Sequence, residues 1–135
     1  MRVFIAGPLL RAQGLDLDFY TRIGTACSDA GWEPFLPHLR IDQTLRSDSI
    51  FLEDVKAVAG CDLIIAEVSS PSHGVGGELM QAYLNRLPIV CLALEGQKVS
   101  SMVLGNPMVE KTITYKTKEA CLEILKDYLR SRREG

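Results

Sequence analysis

The sequence lacks any surplus of positive charge, any long apolar run and any cysteine spacing of the kind that binds metal. Fifteen Lys and Arg stand against 17 Asp and Glu, giving a net charge of −2 and a pI near 5.7. Such a balance argues against a general nucleic-acid-binding surface, which is normally basic. The locally basic stretch is the tail, Arg130, Arg132 and Arg133, read as a solvated helix end that complements the helix dipole. No apolar stretch approaches the roughly 18 to 20 residues that span a bilayer, and the opening MRVFIAG is too short and too soon interrupted for a signal peptide. A cytoplasmic protein with no membrane partner is expected. The cysteines are Cys27, Cys61, Cys91 and Cys121, without a CxxC pair. They indicate neither a disulfide nor a structural zinc and read as small buried hydrophobes. Repeats and low-complexity tracts are also missing.

What is present is apolar: 47% of 135 residues, enough for the core of one domain spanning 1–135. RVFIAG (Arg2 to Gly7) reads as a buried strand that stops at Gly7-Pro8. Leu15 to Ala30 has helical apolar spacing, with Gly31 as its stop. Glu33 to Leu36 is a brief strand closed by Pro37-His38, and the polar Leu39 to Ser47 reads as loop. A helix from Asp48 to Ala59, capped by Ser47 or Asp48, carries Asp54. Leu63 to Ala66 and Pro88 to Leu94 are buried strands. Ser100 to Leu104 forms a short helical turn, Thr112 to Tyr115 a last strand, and Lys118 to Arg132 a terminal amphipathic helix. This alternation predicts a three-layer α/β sandwich, flavodoxin-like (Rossmann-like), with a five-stranded parallel sheet in the order 2-1-3-4-5. In such sheets ligands bind beyond the carboxyl ends of the strands, at the switch point between strands one and three. That rule places the Gly7 loop beside the loop from Ser69 to Glu78, with His38 at the same edge.

The chain is organised around LIIAEVSSPSHGVGGELMQAY, Leu63 to Tyr83. A strand, a polar segment with Gly74, Gly76 and Gly77, and a helix carrying Leu79, Met80, Ala82 and Tyr83 place one carboxylate, Glu78, at the mouth. Glycines let a ligand approach the backbone and tolerate positive φ. A helix start stabilises nearby negative charge, so Glu78 is expected to be ionised at neutral pH. The arrangement suits a carboxylate nucleophile or a sugar site; a capping glutamate on an ordinary loop is the plainer alternative.

VFIAGPLLR near the start, Asp54 in a helix before CDLIIAEVSSPSHGVGGE, and PIVCLAL after it together resemble the nucleoside 2-deoxyribosyltransferase superfamily, from about Arg2 to Gly105. Within it, the match is to the 2'-deoxynucleoside 5'-phosphate N-hydrolase branch, which splits nucleotides into base and sugar 5-phosphate. The resemblance implies a small α/β fold, no metal or other cofactor, a small-molecule nucleotide substrate, and a homodimer or higher homo-oligomer. It makes Glu78 the nucleophile that forms a glycosyl ester at C1', and Asp54 the acid that assists departure of the base. A carboxylate is a competent nucleophile at an oxocarbenium-like centre. A general acid needs a proton near pH 7, which burial or a second carboxylate supplies by raising its pKa.

Further roles follow from the same resemblance. Ser72 stands six residues before Glu78, where the branch acting on free nucleosides carries an acid that contacts the 5'-hydroxyl. A neutral hydroxyl there, with Gly74, Gly76 and the loop N–H groups, favours a 5'-phosphate. Ser100, with the apolar Met102 beside it, falls where a neighbouring subunit reaches the phosphate. Arg11 adds charge in the first loop, and His38 lines the pocket or touches phosphate. Leu9, Leu10 and Ile50 are candidate base contacts. Two positions depart from the pattern: Phe4 replaces a tyrosine near the nucleophile and the 2' carbon, and Pro8 replaces a small polar phosphate ligand beside Gly7. Both leave ribose against deoxyribose open. Glu67 is a second site carboxylate or a structural acceptor. A transferase passing the sugar to another base, a ribonucleotide N-glycosidase, and a non-catalytic nucleotide-binding module on the same fold remain alternatives.

Overall fold

Apolar side chains alternate along the strands toward opposite faces, and this alternation sets the layers. The computed structural model describes residues 1–10 and 14–134, the side chain of Glu134 excepted. The strands are β1 (Arg2–Ala6), β2 (Glu33–Phe35), β3 (Leu63–Glu67), β4 (Ile89–Leu94) and β5 (Val109–Tyr115). All pair in parallel, in the order β2-β1-β3-β4-β5. That is the flavodoxin-like order expected from the sequence. Val3, Ile5, Leu63, Ile65, Val90 and Leu92 turn toward α1 (Leu17–Asp29) and α6 (Lys118–Glu134), where they meet Phe19, Ile23, Leu125 and Leu129. Phe4, Ala6, Ile64, Ala66, Ile89 and Cys91 turn the other way, toward α3 (Ser47–Ala59) and α4 (His73–Leu84), and meet Val58, Val75, Leu79 and Ala82.

The element boundaries move in physically instructive ways. The first helix starts at Leu17 because Asp16 caps it, its carboxyl accepting from the Phe19 N–H at 3.0 Å. It ends at Asp29, with Ala30 as its C-cap, and the chain turns through Gly31 at φ +87°. The segment expected to be loop begins with a short helix, α2 (Pro37–Arg40), which has Pro37 in its first turn; there proline loses no hydrogen bond. β5 begins at Val109, earlier than expected, because it pairs with β4 around an irregularity at Ile89 and Val90. α5 (Ser101–Leu104) is the short turn expected there, capped by Ser100. All four cysteines are free and buried, and burial pushes the thiols up, to about 12 at Cys27 and about 11 at Cys91. They are hydrophobic fillers and weak nucleophiles. Among the described residues no helix is long and apolar enough to cross a membrane.

Candidate active site

The helix carrying Glu78 begins five residues before it, at His73, so the expected glycine loop is helical. Ser72 caps it, its Oγ accepting from the Val75 N–H at 3.3 Å. Three glycines in the first turns each weaken a helix by roughly 1 kcal/mol relative to alanine. The fold does not ask for them: a Cβ on Gly76 or Gly77 would meet nothing within 4 Å, and one on Gly74 only the Ser72 Oγ at 3.9 Å. Their smoothness leaves room for something outside the chain. Gly74 and Gly77 line a cavity of about 590 Å³, and Gly76 lines a second of about 200 Å³.

The larger cavity lies between the β1–α1 loop (Gly7, Leu9, Leu10), Gln43, α3 (Ser47, Ile50, Phe51, Asp54, Val55) and α4 (His73, Glu78, Met80, Gln81). Glu78 and Asp54 both line it and are hydrogen-bonded to each other across the α3–α4 contact. Burial pushes the Glu78 carboxyl well above its ordinary range, and the bond to Asp54 and its like charge push it further. Burial raises Asp54 as well, while the bond from Glu78 draws it part of the way back. The pair therefore holds a proton between its oxygens at pH values where isolated carboxyls have none. The helix start favours the Glu78 anion, while desolvation and Asp54 oppose it.

The first loop is fixed from beneath by Tyr20. Its hydroxyl donates to the Pro8 carbonyl at 2.8 Å, and burial raises its pKa to about 12, so it stays a donor. Gly7 is required by the same ring, since a Cβ there would stand 2.5 Å from the Tyr20 Cζ. Pro8 is buried with its carbonyl engaged and does not line the cavity. Phe4, expected near the sugar, is fully buried, stacked on Phe35 with ring centroids 5.6 Å apart, and away from the cavity lining. It packs in the core between the sheet and α4. His38 sits in α2 with its ring 6.2 Å from Tyr20 and its Nε2 3.5 Å from the Thr21 hydroxyl, outside both cavities. Burial lowers its pKa, so it brings no fixed charge. Arg11 lies outside the described residues.

Ser72 and His73 line both cavities, as do Val75 and Met80; the smaller one also takes in Lys98, Ser100 and Met102. Ser100 caps α5, accepting from the Met102 N–H at 3.2 Å, and Met102 is 76% exposed. Of the side chains that sequence reasoning missed, His73 adjoins Ser72 and Gln81 stands one helical turn after Glu78 on the same face; the second was readable from spacing once the helix start was known. Ser69, in the same loop, is turned to the sheet, its Oγ accepting from the Leu94 N–H at 2.8 Å. Glu67 is buried and accepts from the Ser69 N–H at 2.6 Å and the Tyr115 hydroxyl at 2.5 Å. It is an acceptor within the frame, away from the cavity.

A parallel sheet in this order, with a cavity among the loops and helices beyond its strand ends, defines an α/β protein of the flavodoxin-like class. Solved structures sharing the fold include a CMP N-glycosidase from Clostridium botulinum (TM-score 0.75, 21% identity, 95% of this chain and 99% of that one) and a 2-deoxyribosyltransferase from Bacillus psychrosaccharolyticus (TM-score 0.66, 13% identity, 90% of each chain). A Methanosarcina mazei protein named "Putative 2'-deoxynucleoside 5'-phosphate N-hydrolase 1" is 34% identical over 136 residues, covering 96% of this chain and 84% of the relative. The chain belongs to the 2'-deoxynucleoside 5'-phosphate N-hydrolase family, within the nucleoside 2-deoxyribosyltransferase superfamily. No protein-family model matches it.

Proposed function

We propose that this protein hydrolyses the N-glycosidic bond of nucleoside 5'-monophosphates, preferably 2'-deoxy, releasing free base and sugar 5-phosphate. The observation that carries the reading is the half-buried Asp54–Glu78 pair lining a cavity large enough for a nucleotide. Substrate enters with the pair's single proton moved onto Asp54, leaving Glu78 ionised. A Glu78 oxygen bonds to C1' as the C1'–N bond breaks; the electron pair goes to the base nitrogen, and Asp54 supplies the base with a proton. Water then adds to C1', Asp54 takes its proton, and the ester oxygen leaves as the Glu78 carboxylate. Ser72 and His73 receive the 5'-phosphate, and the base lies toward Ile50, Phe51 and Gln81. The test is turnover of a nucleoside monophosphate with an excess of a second free base. Hydrolysis gives sugar 5-phosphate whatever the added base; a new nucleotide carrying that base would make the protein a transferase.

The shared proton sets the pH dependence. The active form carries one proton on the pair, so kcat/KM falls at low pH when both groups are protonated and at high pH when both are ionised. The alkaline limb reports loss of the pair's last proton. In Asp54→Asn that limb disappears, because the acid whose proton it reports is gone, and the rate loss is largest for bases that leave poorly. A pH profile unchanged by Asp54→Asn would contradict the pairing.

The active assembly is at least a homodimer in this reading. Met80, Tyr83 and Leu84 of α4 and Met102 and Leu104 of α5 are exposed apolar side chains, a surface suited to a second copy. Ser100 and Met102 then complete the neighbouring phosphate site. Sedimentation at assay concentration should show no active monomer, and Leu84→Glu should yield monomer with reduced turnover; an active monomer contradicts it.

A further inference from the structure

We propose that Tyr115 and Glu67 are positioning residues that set the β3–α4 loop, and through it the Ser72 hydroxyl, for the substrate's phosphate. The inference rests on the functional reading above. Glu67 ends β3 and Tyr115 ends β5, so their side chains meet beneath the loop, on the α1–α6 side of the sheet. Tyr115 donates to one Glu67 oxygen at 2.5 Å, and the other oxygen takes the Ser69 N–H at 2.6 Å. Burial, and next the bond to Glu67, push the Tyr115 hydroxyl up, which keeps it a donor. Ser69 is held a second time, its Oγ accepting from the Leu94 N–H at 2.8 Å.

Two hydrogen bonds thus fix Ser69, and only Ser70 and Pro71 separate it from Ser72. Because the Ser72 Oγ uses its lone pair on the Val75 N–H, its proton is free to point into the cavity. A displacement of Ser69 is passed directly to that donor and to the His73 and Gly74 N–H groups of the first turn, which lack intrahelical acceptors. Glu78 lies farther along α4 and is held independently by Asp54. The pair should therefore govern binding of the phosphate and leave bond cleavage alone.

The experiment compares wild type, Tyr115→Phe and Glu67→Gln with a nucleoside 5'-monophosphate and the matching nucleoside, alongside inorganic phosphate as a competitive inhibitor and the thermal midpoint. Tyr115→Phe should raise KM for the monophosphate and the inhibition constant of phosphate together, by roughly 3- to 10-fold, the effect of one lost hydrogen bond. Its kcat, and kcat/KM for the nucleoside, should stay within about twofold. Glu67→Gln keeps an acceptor for the Ser69 N–H and should shift KM less than Tyr115→Phe does. An unchanged monophosphate KM in Tyr115→Phe, or equal losses for both substrates, would overturn the proposal while the wild type's phosphate preference stood. Absence of that preference in the wild type would instead remove the functional reading and this inference together.

Discussion

Replacing Glu78 with Gln lowers base release by roughly a thousandfold or more, because an amide cannot form the glycosyl ester. The fold is not lost with the activity. Gln keeps the size of Glu and a hydrogen bond to Asp54, and the side chain faces a cavity rather than the packed core. Stability should rise where the wild-type pair is forced to ionise. The sign follows from linkage: a carboxyl whose folded pKa is raised stabilises the fold most below its unfolded pKa, and that contribution is lost as pH rises through the folded value. Glu78→Gln carries no such dependence. Its melting temperature should exceed that of wild type at pH 8, with the gap closing toward pH 4. Near-normal turnover would show that Glu78 is not the nucleophile, and a lower melting temperature at pH 8 would show that the carboxyl pair is not a destabilising one.

Removing the 5'-phosphate from the substrate lowers kcat/KM by roughly two to four orders of magnitude. Hydrogen bonds to a charged group contribute about 1.5 to 3 kcal/mol each, and the site offers at least two, from Ser72 and the start of α4. No carboxylate other than Asp54 and Glu78 lines either cavity among the described residues. Ser72→Asp separates charge from folding. Asp is as good a helix cap as Ser, so α4 should keep its start, while the new anion repels a phosphate and can accept from a free 5'-hydroxyl. Monophosphate turnover should fall and nucleoside turnover hold or rise. Equal kcat/KM for nucleoside and monophosphate in the wild type would favour the nucleoside transferases instead.

The sheet order was legible because the apolar strands alternate with helices of clear period, and right-handed crossovers leave few arrangements. Asp54 and Glu78 were reachable through motif resemblance; their contact was not, since a helix–helix approach leaves no mark in local spacing. That is why an argument from the helix start alone made Glu78 an ordinary anion. The glycines of GVGG misplaced the start of α4, because low helix propensity reads as loop until Ser72 is seen capping the turn. Phe4 and His38 were placed at the site by motif position, and neither lines a cavity: Phe4 lies two residues before the end of β1, under Phe35, and the α2 turn at Pro37 carries His38 toward Tyr20. The Tyr115–Glu67 contact joins ends of strands separated by β4, which no sequence pattern encodes.

The central claim is that a nucleotide loses its base here, and chromatography of a deoxynucleoside 5'-monophosphate incubated with the protein tests it most directly. The account predicts free base and sugar 5-phosphate in equal amounts, at a rate proportional to protein concentration and absent with Glu78→Gln. Intact nucleotide after prolonged incubation, or release of orthophosphate and nucleoside in place of free base, would contradict it.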